Sequence, residues 1–355
     1  MRPAIRRSLD ILLMCFALMQ APFVSGQQLT PADSEYYLYQ PFWAAAEHDR
    51  QPLNHLGMRV SAHADGFLVT AALDGYPAQA AGILRGDVIN TSNGEAFHPV
   101  YSLNDQSRSP ASFTANPTPV SIGFTRGTQQ MTAEATPVFE SLYDSLRSAS
   151  LNSIQQFPSG NKIVGYVRFW SVSRNSNDLI ALHRLISELS HCDGIIIDLR
   201  DAYGFLDSAQ LQLIYRGTAN LFTVRGSATD QLQHEGYPLA PLANYRQPIA
   251  LLINEQTEAG AELLAYQLDK LSRVVTIGQG TAGKIGQYQQ QDQGVSSSET
   301  AESLRYQPAL ETILDGQQFE GNGHQPERPV PYPYTQPGRV DPQFQTAMEV
   351  LMGII

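Results

Sequence analysis

The chain has 355 residues, of which 34 are acidic and 23 basic, a formal net charge of −11. An acidic chain without a basic stripe excludes nucleic acid as its electrostatic partner. Hydrophobic residues make up 42% and cysteines number only 2, so the fold must rest on apolar cores rather than on a disulfide framework, and two domains are the expectation for this length.

At the start, "MRPAIRR" is basic, "ILLMCFALM" is a short apolar core and "APFVSG" supplies small residues near a cut, so residues 1–26 read as a secretory signal peptide cleaved near Gly26 and Gln27. The apolar core is too short to span a bilayer, which takes about 20 residues, and no later segment is long or apolar enough to do so. A lipid anchor at Cys15 is the weaker alternative, because Met14 is bulky where such signals want a small residue. Cleavage would leave Cys192 as the remaining cysteine.

Residues 27–54, "SEYYLYQPFWAAAEHDR" at their centre, predict one helical segment packed by its Tyr and Trp side chains. Over 55–138 the pattern is that of a small, mostly β unit. "MRVSA" and "FLVTAAL" read as strands, "PAQAAGI" as a short helix, and "GDVINTSNG" as a strand closing on an Asn-Gly turn; "PVSIGFTRG" and "QMTAEATPV" form a last hairpin. Residues 139–160 read as a helical linker.

From 161 to 355 the period changes. "KIVGYVRFW" and "DGIIIDLR" are apolar strands separated by "NDLIALHRLISELSH", which carries Leu179, Leu182, Leu185, Ile186 and Leu189 at helical spacing. Strand, amphipathic helix and strand, with both strands apolar throughout, predict a βαβ unit in a sheet covered on both faces. "QPIALLIN" and "RVVTIG" continue the sheet around the helix "EAGAELLAYQLDKL", whereas "YQQQDQGVSSSETAES", 288–303, is polar and loop-like. The fold class is therefore α/β and multi-domain: a small β domain, then an α/β domain.

Several residues invite a chemical reading. His183, Glu188 and His191 share the helix of 177–191, but the five-residue step from His183 to Glu188 splays them around it, so a solvated polar face is expected and no metal site. Cys192 beside a buried strand behaves as a small apolar residue. Glu258 in a first helical turn is explained by the helix dipole. Nothing in the sequence calls for a cofactor.

"HLGM" before a strand, followed by "YPAQAAGILRGDVI", resembles a PDZ domain over Leu56 to Phe97. That resemblance implies capture of a peptide's terminal carboxylate by the N–H groups of Leu56, Gly57 and Met58, and pairing of the peptide with the following strand. His55 stands where that family usually has Gly.

"GYVRFW", "DGIIIDLRDAYG", "PIALLINEQTEAGAE", "TIGQGTAGK" and "DGQQFEGNGHQPERPV" occur in the order and spacing of the C-terminal processing, or tail-specific, serine protease family, which also carries a PDZ domain ahead of its protease domain. The resemblance covers Leu56 to the C-terminus and implies a ClpP/crotonase-like protease domain, a polypeptide substrate and export, with a bacterial periplasm as the destination and secretion as the alternative. It aligns Asn254, Glu255 and Glu262 with the family's nucleophile turn and places Ala259 at the serine position; "TAGK" puts Lys284 at the general base, at the family's separation from Ala259. It further implies oxyanion donors at Gly260 and Gly204, with Phe205 in place of a second glycine, and an orienting residue at Gln287, since Tyr288 occupies the family's Gln position.

A serine hydroxyl attacks only when a base takes its proton, and Ser–Lys pairs use a desolvated lysine for this. Alanine cannot attack. Thr257 has a hydroxyl, but two residues before the turn it points elsewhere. The sequence thus reads as an exported serine endopeptidase of this family with its nucleophile replaced, an active-site Ser→Ala variant being favoured. The alternative is a natural pseudoprotease that binds peptides or a regulatory partner through its PDZ domain and vestigial cleft. Oligomeric state is left open.

Overall fold

The computed structural model describes residues 28–39, 50–172, 184, 187–204, 245–290, 303–310, 312–335 and 340–355. Residues 1–26, Phe205, His183 and most of the helix expected over 177–191 lie outside them, although Arg184, Ser187 and Glu188 within it are helical. No helix among the described residues is long and apolar enough to cross a membrane.

The N-terminal segment is less regular than its sequence suggests. Within 27–54, the described helix is only α1, Ser34–Tyr39, preceded by the short strand Gln28–Leu29 and followed by β1, Leu53–His55. Asp33 explains where α1 begins, because its Oδ2 accepts from the N–H and hydroxyl of Thr30 at 2.9 Å each and folds the chain into a turn there. Tyr36, Tyr37, Leu38 and Tyr39 are all buried.

The β unit contains β2, Met58–His63, β3, Gly66–Ala72, β4, Val88–Ser92, β5, Val120–Arg126, and β6, Gln129–Ala135. They pair antiparallel in that order, with Glu95–Ala96 added to β4. The turn after β4 holds Asn93 at φ 51° and Gly94 at φ 86°, the left-handed pair that an Asn-Gly hairpin needs. Pro77–Ala80 is the expected short helix, opened by its proline. Alternate strand residues converge on Leu56, Val69, Ile83, Ile89, Ile122 and Phe124, a core of its own. β2 forms one edge of the sheet.

β7, Val138–Glu140, returns to pair with β1, and α2, Leu142–Asn152, follows with Ser141 as its N-cap. The linker expected over 139–160 ends earlier than its sequence suggests. Gln155–Ser159 is β8, already a strand of the next sheet, paired residue for residue with β9, Lys162–Arg168. Phe157 packs edge-on against Phe344 with ring centroids 5.2 Å apart, which ties this strand to the last helix.

That second sheet continues through β10, Gly194–Asp198, β11, Ile249–Ile253, β12, Val274–Gly278, and the short Arg328–Pro329, parallel from β9 onward. Every residue of β10 and β11 is buried, as a parallel sheet covered on both faces requires. α3, Gly260–Asp269, packs Ala261, Leu264, Ala265 and Leu268 on one face with Ile195, Ile197, Leu251 and Ile253. α4, Pro342–Ile354, brings Ala347, Val350 and Leu351 to Ile196, Ala250 and Leu252 on the other. Two strands, β13, Gln287–Gln290, and β14, Leu304–Gln307, pair antiparallel, so the stretch expected to be loop-like begins as strand over Tyr288 to Gln290.

Candidate active site

Where β11 meets α3, Ala259 adopts φ 55° and ψ −126°, a conformation that L-residues rarely hold and that costs about 1–3 kcal/mol unless its surroundings impose it. Those surroundings are on both sides. The Thr257 hydroxyl donates to Leu199 O at 2.9 Å and accepts from Asn254 N–H at 3.1 Å. Asp201 N–H donates to Asn254 Oδ1 at 2.9 Å, and Glu258 N–H to Ala202 O at 2.9 Å. The turn is thereby stapled to the loop after β10. On its other side Ala282 N–H donates to Thr257 O at 3.1 Å, and Ala259 N–H to Lys284 O at 2.9 Å. Thr257 is fully buried with its hydroxyl engaged on the backbone.

Gly260 opens α3, and its N–H has no acceptor among the described residues. In the stapled loop, Gly204 takes φ 135°, and a Cβ there would lie 1.9 Å from Val172 O, so only glycine fits. Three segments thus converge: 199–204, 254–260 and 281–286.

The lysine loop is held by two buried carboxylates. Glu262, in the first turn of α3, accepts from Thr281 Oγ1 at 2.6 Å, Gly283 N–H at 2.6 Å and Lys284 N–H at 2.8 Å. Burial pushes its pKa up to about 7 despite these donors. Glu320 accepts from Ile285 N–H and Gly286 N–H at 3.1 Å each, from Ala309 N–H at 3.2 Å and from the Tyr306 hydroxyl at 2.6 Å. Lys284 Nζ lies 3.9 Å from Glu258 Oε1.

Ala259 is only 1% exposed. It packs in a cluster with Tyr39, Trp170, Tyr203, Tyr288, Leu304 and Tyr306. Tyr39, at the end of α1, has its ring 4.2 Å from that of Tyr203 and 4.6 Å from that of Tyr288, and donates to Glu258 Oε2 at 3.1 Å. Burial, reinforced by Glu258, holds the Tyr39 phenol well above its ordinary pKa, so it stays a donor. From β2, Arg59 reaches the same place and donates to Asp201 O at 2.6 Å.

The expected site residues do not all meet. Ala259, Gly260, Gly204 and Lys284 lie on the three joined segments, whereas Gln287 is exposed. The two-residue alternation of β13 turns Tyr288 inward instead. Leu56 and Gly57 connect β1 to β2, which Met58 opens, and there Gly57 N–H donates to His55 Nδ1 at 3.0 Å. Burial lowers the His55 pKa to about 4, leaving a neutral ring that can accept. His191 meets Gln156 Oε1 at 3.1 Å, and Glu188 meets Arg184 at 3.0 Å. Sequence reasoning missed Tyr39, Arg59 and Glu320; "EGNGH" around Glu320 was one of the quoted pieces, but its role depends on N–H groups from a distant segment.

The turn from β11 into α3 thus holds one strained residue beside a helix N–H without an acceptor among the described residues. Residues 163–330, just under half of the chain, match the sequence profile of Peptidase family S41. Over 138 residues it is 33% identical to a carboxyl-terminal-processing protease from Synechocystis sp., an alignment covering 34% of this chain and 28% of that protein. The fold is similar to that of a putative S41 protease from Bacteroides fragilis, with a TM-score of 0.55 at 18% identity, covering 86% of this chain and 84% of the other.

Proposed function

We propose that the chain is an exported serine endopeptidase scaffold of the C-terminal processing type, with Ala259 at the position of its nucleophile and inactive for that reason. The observation that carries this reading is the backbone of Ala259: a strained turn held between two loops, with Lys284 on one of them and the free Gly260 N–H next in sequence. Such strain is kept only where the surroundings over-determine it.

With a serine at 259, the chemistry is that of acyl transfer. Its oxygen attacks the scissile carbonyl while Lys284 Nζ takes the hydroxyl proton, and the N–H groups of Gly260 and Gly204 receive the developing oxyanion at the positive end of α3. The lysine then returns the proton to the leaving amine, and water hydrolyses the acyl-enzyme. Losing one oxyanion donor in such a site costs about 10²–10³ in rate. Substrate enters as an extended polypeptide. The β unit of residues 55–138 is read as a PDZ domain, whose edge strand β2 would pair with that chain. His55 is the departure that bears on this, because its ring already takes the Gly57 N–H that a terminal carboxylate would use.

The alternative is a natural pseudoprotease that holds peptides without cutting them. Ala259 itself favours it, together with the seating of Tyr39 against Glu258 over the turn. The deciding experiment restores the oxygen: Ala259→Ser should cleave a denatured protein and label with a serine-directed phosphonate, and both activities should vanish when Lys284→Ala is added. A silent Ala259→Ser chain would refute the protease reading and leave the binder. Peptides with free and amidated C-termini, titrated in parallel, test carboxylate capture, and equal affinities would exclude it.

A further inference from the structure

Between the β unit and the α/β domain lies a cavity of about 170 Å³, lined on one side by β3 and the Leu84–Arg85 turn and on the other by Arg168, Arg200, Asp201, Tyr332 and Asp341. At about 30 Å³ per water it holds roughly five waters. Ala259, Gly260, Gly204 and Lys284 are not among its lining residues. It lies on the far side of the Asp201–Asn254 pair that staples the Ala259 turn, so it adjoins the proposed catalytic site without containing those four residues.

Three guanidinium groups share this space, and they are unequally matched. Arg200 is answered twice, by Asp198 in a two-pronged pair and by Asp341 at 2.7 Å. Arg168 is answered once, by Asp201 at 2.7 Å, while its Nε is buried without a hydrogen-bond partner. Arg85 has no carboxylate partner among the described residues. It donates to Tyr332 O at 2.6 Å, and its guanidinium stacks 4.0 Å from the ring centre of Tyr332 and 3.8 Å from that of Tyr334.

Stacking decides what these two arginines can still do. Arg168 likewise lies 3.6 Å over the Trp170 ring. A guanidinium covered on its faces keeps its five N–H donors in the plane, and that planar fork matches a carboxylate. Glu255, whose Oε2 is also unpartnered, does not line the cavity. Donor capacity thus exceeds acceptor supply at the Arg85 end.

We propose that this interdomain cavity is a binding site for a small carboxylate, held by the in-plane donors of Arg85 and Arg168. Its size admits a molecule of two to four carbons, and the ligand would touch both domains at once. The proposal does not depend on whether position 259 ever carries a nucleophile.

Calorimetric titration of the full chain with acetate, malonate and inorganic phosphate, at ionic strength fixed with sodium chloride, tests it. Malonate should bind saturably with one molecule per chain. Arg85→Gln should weaken that binding at least ~10-fold, and Ala72→Leu, which fills space at the cavity wall without altering charge, should weaken it similarly. Arg305→Gln, an exposed charge on β14, should leave it unchanged. Uptake that survives both cavity variants, or heat that follows ionic strength alone, overturns the site; tighter binding of phosphate than of malonate overturns the carboxylate assignment.

Discussion

Ala259 sits at a conformation that tolerates one small side chain and little else. A β-branched residue at positive φ adds a steric penalty to the one already present, and at 1% exposure there is no room for two more carbons. Ala259→Val should therefore lower stability by about 3 kcal/mol, read from the urea midpoint, while Ala259→Ser, which adds one atom, should stay within about 1 kcal/mol of the parent. Glu262 makes a pH prediction of definite sign. Burial raises its pKa from 4.5 to about 7, so the folded state holds the proton more tightly than the unfolded one. That contribution is fully present below pH 4.5 and is lost as pH rises through 7. A shift of this size corresponds to about 3 kcal/mol. Urea midpoints taken at pH 5 and pH 8 should fall with pH more steeply in the parent than in Glu262→Gln; parallel slopes would show that Glu262 titrates normally. That the segments of Ala259 and Lys284 adjoin was legible in the sequence, because both sit in short motifs that resemble a family's in order and separation. The bracket formed by Glu262 and Glu320 was not, since a carboxylate accepting backbone N–H groups leaves no spacing rule behind.

The strands of the second sheet were readable because each is apolar along its whole length, as burial on two faces demands. β8 was not, because "QQFPS" has neither an apolar run nor a clean alternation and contains a proline. α1 was misjudged for a related reason: with Tyr36 to Tyr39 buried in succession, it shows no helical period to reveal which face it presents. That helix has a mechanical consequence. Its last residue seats a ring against Tyr203 and Tyr288 and a hydroxyl on Glu258, so the turn carrying Ala259 is roofed by a short element with little helix of its own to stabilise it. Tyr39→Ala removes the roof and should cost about 3–5 kcal/mol of packing. In an Ala259→Ser background the same change should speed labelling by a serine-directed phosphonate. If labelling is no faster without the ring, α1 does not limit access to the turn.

Among the described residues, the β unit is joined to the rest of the molecule by specific bonds, Arg85 Nη2 to Tyr332 O at 2.6 Å among them. Arg59 Nη1 on β2 reaches Asp201 O, the Trp170 indole N–H donates to Asp74 Oδ2 at 2.9 Å, and Asn152 Nδ2 donates to Asp74 O at 3.2 Å. The Arg59 bond ends on the loop of 199–204 beside the proposed site, so the position of the β unit and the shape of that loop are mechanically linked. None of this was visible in the sequence, where the motifs fix each domain separately and say nothing of their docking. The apolar share of the contact is one buried cluster, in which Leu73, Tyr76 and Phe113 of the β unit join Trp170, Tyr203 and Tyr288. Interfaces of this kind give way to independent domain motion when their polar anchors are lost, and a buried carbonyl left unpaired costs about 1–3 kcal/mol. Calorimetry of the parent should show one cooperative transition, with the van't Hoff and calorimetric enthalpies in agreement. The double variant Arg59→Met with Trp170→Phe keeps most of the bulk of both side chains and removes the donors at two of these anchors. It should split that transition in two, the β unit melting by itself on the antiparallel core around Val69, Ile89 and Phe124. A single undivided transition in the double variant would mean that the apolar contact alone couples the domains.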